Sequence, residues 1–233
     1  YFGDGNTWNT VVDDIYILHQ RLKQRYPDVP LCIMGHSMGS FLTRTYLIRY
    51  PGTVKAAVIM GTGWQPQAAI TGGLALANAI AAVSGENATS ELVTELAFGS
   101  YNKLFAPNRT KVDWLSADES NVDDYIADPL CGADATVGLF RQMLHGIRFN
   151  QRQSHLRQMD REMPVLFVAG DKDPVGSCGK GVRQTYDAFR AAGMRDCTLK
   201  LYPGLRHEIL NEKAYAADIT KNIEAWLLSR LEK

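Results

Sequence analysis

The sequence lacks several features that would define whole classes of protein. It has no run of about eighteen apolar residues, and its nearest stretch, residues 68–83, is interrupted by Thr, Gly and Asn, so no membrane-spanning helix is predicted. It lacks a charge excess, because 25 Lys and Arg balance 25 Asp and Glu. Nucleic-acid binding by bulk charge is therefore not expected. With 233 residues, 45% of them apolar, and no internal repeat, the chain fits one large globular domain.

Cysteine is also scarce and scattered. The four cysteines, at positions 32, 131, 178 and 197, form no C-x-x-C pair, and no histidine cluster has zinc spacing, so no metal site is predicted. Four isolated thiols fit a reducing, cytoplasmic setting better than a disulfide framework. Cys32 lies in an apolar run and is expected to be a small core residue.

The remaining pattern indicates an α/β fold. Short apolar runs that end at Gly or Pro alternate with amphipathic helical segments, which predicts a mostly parallel sheet with helices on both faces. The four predicted strands cover residues 31–34, 54–60, 165–169 and 198–202.

The middle of the chain breaks this alternation. Between the second and third strands, residues 64–163 show helical spacing and no strand pattern. An insertion of this length is far longer than an ordinary connection between sheet elements and is normally functional. We therefore expect a helical cap at 64–163 on a core formed by residues 1–63 and 164–233.

The clearest chemical signal is a G-x-S-x-G motif at residues 35–39, placed between an apolar strand and a helix. Such a tight turn strains its central residue and needs flanking glycines, which would expose the Ser37 hydroxyl at the edge of the sheet. The helix N-terminus would then face any negative charge that develops there. The backbone N–H of Met38 becomes a candidate oxyanion donor.

A serine nucleophile needs a base and an acid that orients the base. His207 is the only histidine after the third predicted strand, and it follows the fourth strand, where it can reach the same sheet edge. Two aspartates follow the third strand. Either Asp171 or Asp173 could be the acid, and Asp171 could instead stabilise the turn.

Five segments invite comparison with a known family: the turn at residues 35–39, the Gly170-x-x-Asp173 turn, the Gly204-x-x-His207-Glu208 loop and the cap segments 109–116 and 128–131. Together they resemble the monoacylglycerol lipase and lysophospholipase branch of the α/β-hydrolases, which is often labelled serine aminopeptidase-like. The cap segments resemble those of its bacterial members. The resemblance covers essentially the whole chain.

The resemblance implies a serine esterase that cleaves monoacylglycerol or lysophospholipid acyl esters through an acyl-enzyme, without a metal or organic cofactor. The nucleophile would be Ser37, the acid Asp173 and the base His207. Proline-releasing peptidases typically have Trp after the nucleophile, so Met38 argues against a peptidase. The alternatives are a short-chain carboxylesterase, a thioesterase or a peptidase with the same triad, or a non-catalytic binding protein of this fold.

Two further expectations follow. Apolar cap residues could line an acyl pocket or simply pack the cap helices together: Leu74, Leu76, Phe98, Phe105 and Phe140. The family also begins with several strands and a His-Gly loop that precede the first helix of this sequence. The resemblance thus implies that these strands, and the second oxyanion N–H, lie outside the sequence given, and that residues 1–233 alone would be poorly soluble and inactive.

Overall fold

The sheet of the computed structural model, which describes residue 3 and residues 5–231, has four parallel strands in the order β1-β2-β3-β4. They are β1 (Cys32–His36), β2 (Ala56–Met60), β3 (Val165–Gly170) and β4 (Cys197–Tyr202). The sequence predicted all four to within two residues at each end. Because all four strands are parallel, their carboxyl ends meet at one edge of the sheet, where ligands bind in open α/β folds.

Burial along the strands follows their position in this sheet. Every residue of β2 and β3 is buried, as continuous apolar runs predict for central strands. β1 lies at the edge of the described sheet, and Cys32 and Met34 are exposed there. The expectation that Cys32 is a core residue is therefore wrong for the described structure, because its apolar run forms an edge strand.

Two helices precede β2. The first, α1 (Thr7–Arg25), packs against α2 (Met38–Arg49), which follows β1 directly. Trp8 of α1 is buried, and its indole N–H donates a hydrogen bond to Thr45 at 3.0 Å. Most of α2 is buried, so the helix that follows the G-x-S-x-G turn is held firmly against the sheet.

The chain between β2 and β3 is mostly helical, as predicted. Its described β pairing is a single isolated bridge between Thr89 and Thr136. The longest helices, α3 and α7, pack together, and a side chain at Gly73 would press on Leu144 at 2.9 Å. The elements are α3 (Gln67–Ser84), α4 (Glu91–Thr94), a π-helical turn (Glu95–Gly99), α5 (Ser100–Lys103), a 3₁₀ turn (Asp113–Leu115), α6 (Glu119–Ala127), α7 (Val137–Asn150) and α8 (Gln153–Leu156).

The sheet buries a core on each face. On one face, alternate strand residues such as Phe167 pack with α1, α2 and α9 (Lys180–Ala191). On the other face, Val58 and Leu166 pack with α10 (Ala216–Leu231). This alternation is the double-sided covering that the apolar strands predicted.

α3 is long and apolar enough to resemble a membrane-spanning helix. By length and mean hydropathy (1.3), it is the one described helix that could cross a membrane. In this structure it packs against α7 and lines a cavity, and it contains Gly72 and Gly73 near its middle. α3 thus packs within the helical segment between β2 and β3.

Candidate active site

Ser37 occupies a strained turn between β1 and α2. Its φ of 54° and ψ of −122° are unusual for a residue with a side chain. A Cβ at Gly35 would overlap the carbonyl of Gly39 and the hydroxyl of Thr43, so only glycine fits there. The predicted need for glycine holds at Gly35 but not at Gly39, where an added Cβ meets no described atom within 4 Å.

α2 begins directly after Ser37. Met38 is its first residue, so the Met38 N–H has no acceptor within the helix. The positive end of the helix dipole lies at the same point. Both features suit a negative charge that forms beside Ser37.

The structure brings Asp173 and His207 together. The Nδ1 of His207 and the Oδ2 of Asp173 are 3.0 Å apart, and both side chains are buried. The other Asp173 oxygen accepts the backbone N–H of Val175 at 2.9 Å. With its Nδ1 hydrogen donated to the carboxylate, His207 has Nε2 available as a proton acceptor.

Asp171, the alternative acid, does something different. Its Oδ1 accepts the backbone N–H of Gly204 at 2.8 Å in an exposed turn. It therefore joins the loop after β3 to the loop that carries His207. Of the two aspartates left open by the sequence, Asp173 is the one hydrogen-bonded to His207.

His36, the residue before Ser37, connects the serine turn to the His207 loop. Its Nε2 lies 3.0 Å from the backbone oxygen of His207, and the two rings are 4.5 Å apart between centroids. Burial, followed by the nearby charge of His207, lowers the pKa of His36. Ser37 itself makes no hydrogen bond to His207 among the described residues. Such bonds are often long before substrate binds.

Gly61, at the end of β2, sits against both imidazoles. It has a φ of +58°, and an added Cβ would lie 3.0 Å from His36 and 3.1 Å from His207. The loops that follow β1, β2 and β4 thus converge on one small volume, where a side chain at position 61 could fit only if the imidazoles moved.

Ser37 opens onto an apolar cavity of about 470 Å³. The cavity lies between the serine turn and the helices α3 and α7. Three of the five cap residues proposed for an acyl pocket line it, namely Leu76, Phe98 and Phe140. Leu74 of α3 is instead buried in the main core, and the Phe105 ring lies under the guanidinium of Arg206 at 4.0 Å.

Aromatic side chains from the helical segment between β2 and β3 cover His207. Trp114 lies 5.2 Å from the His207 ring, and Tyr101 packs edge-on against Trp114 at 5.2 Å. Phe98, which lines the cavity, stacks on the ring of Trp114. The sequence placed Trp114 in a recognisable cap segment but assigned it no contact, and it gave no signal for Tyr101, because these neighbours are distant along the chain.

Hydrogen bonds join the His207 loop to the 3₁₀ turn and the residue that follows it. Arg206 donates to the carbonyls of Asp113 and Ser116, the latter at 3.0 Å. The N–H of Glu208 donates to the carbonyl of Leu115 at 2.8 Å. The segment that carries Trp114 is therefore held directly over the imidazole.

Comparison with known proteins identifies the family and the fold. A family model described as serine aminopeptidase, S33, matches residues 2–214. A monoacylglycerol lipase of Mycolicibacterium smegmatis is 30% identical over 225 residues, covering 94% of this chain and 70% of that protein. A mouse monoglyceride lipase is 26% identical, covering 90% of this chain and 62% of its own length. The solved carboxyl esterase of Bacillus coagulans superposes with a TM-score of 0.88 at 24% identity, covering 95% of this chain and 72% of that one.

These similarities define a class of enzyme, the α/β-hydrolases that cleave carboxylic esters. The chain belongs to the serine aminopeptidase S33 family, within its monoacylglycerol lipase-like branch. The fold class and the family resemblance predicted from the sequence are both confirmed.

Proposed function

We propose that this protein hydrolyses monoacylglycerols through a triad of Ser37, His207 and Asp173. The observation that carries the proposal is the buried Asp173–His207 pair, joined to the serine turn through His36, beside an apolar cavity that includes Ser37. The named activities of the mycobacterial and mouse relatives support the choice of substrate.

The chemistry proceeds in two steps. His207 accepts the hydroxyl proton of Ser37 as the oxygen attacks the ester carbonyl, and the N–H of Met38 donates to the resulting oxyanion. The bond to the alcohol breaks, and His207 returns the proton to the departing oxygen. Water then attacks the acyl-enzyme by the same route and releases the fatty acid. Asp173 holds the imidazole and stabilises its positive form throughout.

The composition of the cavity wall favours the acyl chain as the part of the substrate that binds there. Its lining is almost wholly apolar, and the polar side chains that contribute are Ser37, Gln65, Tyr101 and Trp114. Each buried methylene contributes about 0.8 kcal/mol to binding, so the second-order rate constant should rise about fourfold per methylene until the cavity is full. A phosphocholine head group would find no described cation or anion in this lining.

We further propose that residues 64–163 act as a cap on the core formed by residues 1–63 and 164–233. In support, α3, α7 and the π-helical turn supply most of the cavity wall. A cytoplasmic location is proposed on the four cysteines, which are free in this structure and three of which are exposed. Cell fractionation would test that location.

Substrate profiling of the intact protein tests the proposal. We expect kcat/KM to rise from short to medium acyl chains among monoacylglycerols and p-nitrophenyl esters, and Ser37→Ala to abolish both activities. Lysophosphatidylcholine and peptide amides should be poor substrates. Highest activity on acetyl esters would favour a short-chain carboxylesterase, and activity that survives Ser37→Ala would reject the assigned nucleophile.

A further inference from the structure

Tyr101 is one of the few polar side chains in a largely apolar cavity wall. It lies in α5, directly after the π-helical turn, and its half-buried ring lines the cavity beside Trp114. Among the described residues its hydroxyl has no hydrogen-bond partner, and the oxygen is not fully enclosed by protein. A phenylalanine would pack in the same place, so packing alone does not account for the hydroxyl.

The hydroxyl remains a donor under ordinary conditions. Burial, assisted by the negative charge of Asp173, raises the pKa of Tyr101 to about 12. The phenol therefore keeps its proton at any pH at which an ester hydrolase works. Water can satisfy it while the cavity is empty. An acyl chain that fills the cavity displaces this water. The Tyr101 hydroxyl must then form a hydrogen bond with the substrate, because an unpaired buried donor is energetically costly.

Tyr101 lies on the side of the site where the alcohol half of the ester must sit. His207 returns a proton to the departing oxygen, so the alcohol lies next to that imidazole. Trp114 covers the His207 ring, and Tyr101 is the next ring outward, with both centroid distances 5.2 Å. The cavity wall formed by Leu144 and Ile147 of α7 offers only apolar contacts and suits the acyl half.

We propose that Tyr101 is a specificity-determining residue whose hydroxyl binds a free hydroxyl of a polyol alcohol, such as glycerol, in the substrate. The inference rests on the proposed ester hydrolysis and adds to it the selection of the alcohol. A simple alkyl ester of the same acid offers no partner to Tyr101. A site that pairs with a substrate hydroxyl discriminates against the analogue that lacks it.

The test compares two esters of one acid, glyceryl monolaurate and propyl laurate, which share the acyl chain and the three-carbon alcohol but differ in two hydroxyls. Tyr101→Phe should lower kcat/KM for glyceryl monolaurate roughly tenfold and leave propyl laurate within about twofold, as expected for one lost neutral hydrogen bond. Tyr125→Phe is the matched control. Tyr125 is another cap tyrosine, but its hydroxyl accepts the N–H of Gly132 and its side chain is not part of the cavity wall.

The outcomes separate this inference from the proposed function. If Tyr101→Phe lowers both rates equally, or neither, Tyr101 does not recognise the alcohol, although the enzyme remains an esterase. If the intact wild-type protein hydrolyses neither laurate ester, the proposed function fails and this inference fails with it. A change in the substrate ratio in Tyr125→Phe as large as that in Tyr101→Phe would also overturn it.

Discussion

A substitution at Gly61 would displace the imidazoles of His36 and His207 without mutating either histidine. In Gly61→Ala, the new methyl group would lie 3.0 Å from His36 Cδ2 and 3.1 Å from His207 Cε1, tighter than ordinary packing. The rings must then move by a few tenths of an ångström. Because a misplacement of about 1 Å can cost about a hundredfold in rate, we expect kcat to fall about tenfold while KM changes little.

The backbone strain of the same substitution needs a separate control. Gly61 has a φ of +58°, where a residue with a side chain costs about 1–2 kcal/mol. Gly52→Ala carries similar strain at a φ of +74°, but its Cβ would meet only Asp160, at an ordinary 3.9 Å. Both variants should lose a similar free energy of unfolding in urea titrations, and only Gly61→Ala should lose activity on p-nitrophenyl esters. Equal activity in the two variants would refute the claim that His207 is held in place by this close packing.

Three other predictions concern the cavity, a buried cation and the pH dependence of stability. Gly72 lines the cavity and an added Cβ meets nothing described within 4 Å, so Gly72→Leu should fill space and shift the preferred acyl length downward; an unchanged chain-length profile would contradict the cavity assignment. Arg44 is fully buried, its Nε and Nη2 have no partner in the described structure, and burial lowers its pKa to about 9. Arg44→Met should therefore leave the free energy of unfolding unchanged or raise it by about 1 kcal/mol in urea titrations. A large loss of unfolding free energy would mean that the hydrogen bonds from Arg44 to Thr62 and Gly63 outweigh the cost of desolvating the guanidinium. The pKa of His36 is lowered on folding, so the unfolded chain takes up its proton first as the pH falls below about 6.5, and stability should fall in that range. His36→Gln should flatten this slope between pH 7 and 5, and an identical slope would show that His36 does not resist protonation in the folded state.

The strands and the serine turn were predictable because their signals are local. A continuous apolar run that ends at glycine or proline marks a buried strand, as at β2 and β3, whatever lies elsewhere in the chain. The position of Ser37 follows from a strand that meets a helix with no intervening loop. The family resemblance then selected Asp173, which local spacing alone had left open against Asp171.

Features that depend on distant neighbours were not predictable in the same way. Cys32 lies in an apolar run like those of the central strands, and only the strand order shows that it is at the edge of the described sheet. The approach of Trp114 and Tyr101 to His207 depends on how the helical segment between β2 and β3 folds back over the sheet edge. The π-helical turn before Tyr101 has no sequence pattern that distinguishes it from an ordinary helix.

Labelling with a fluorophosphonate probe tests the central claim most directly, because the probe reacts only with a serine that has been activated as a nucleophile. In the intact protein, peptide mapping by mass spectrometry should find one adduct, on Ser37. The rate of labelling should fall by several orders of magnitude in Asp173→Asn and in His207→Ala. An adduct on a different serine, or labelling at the wild-type rate in either variant, would contradict the account.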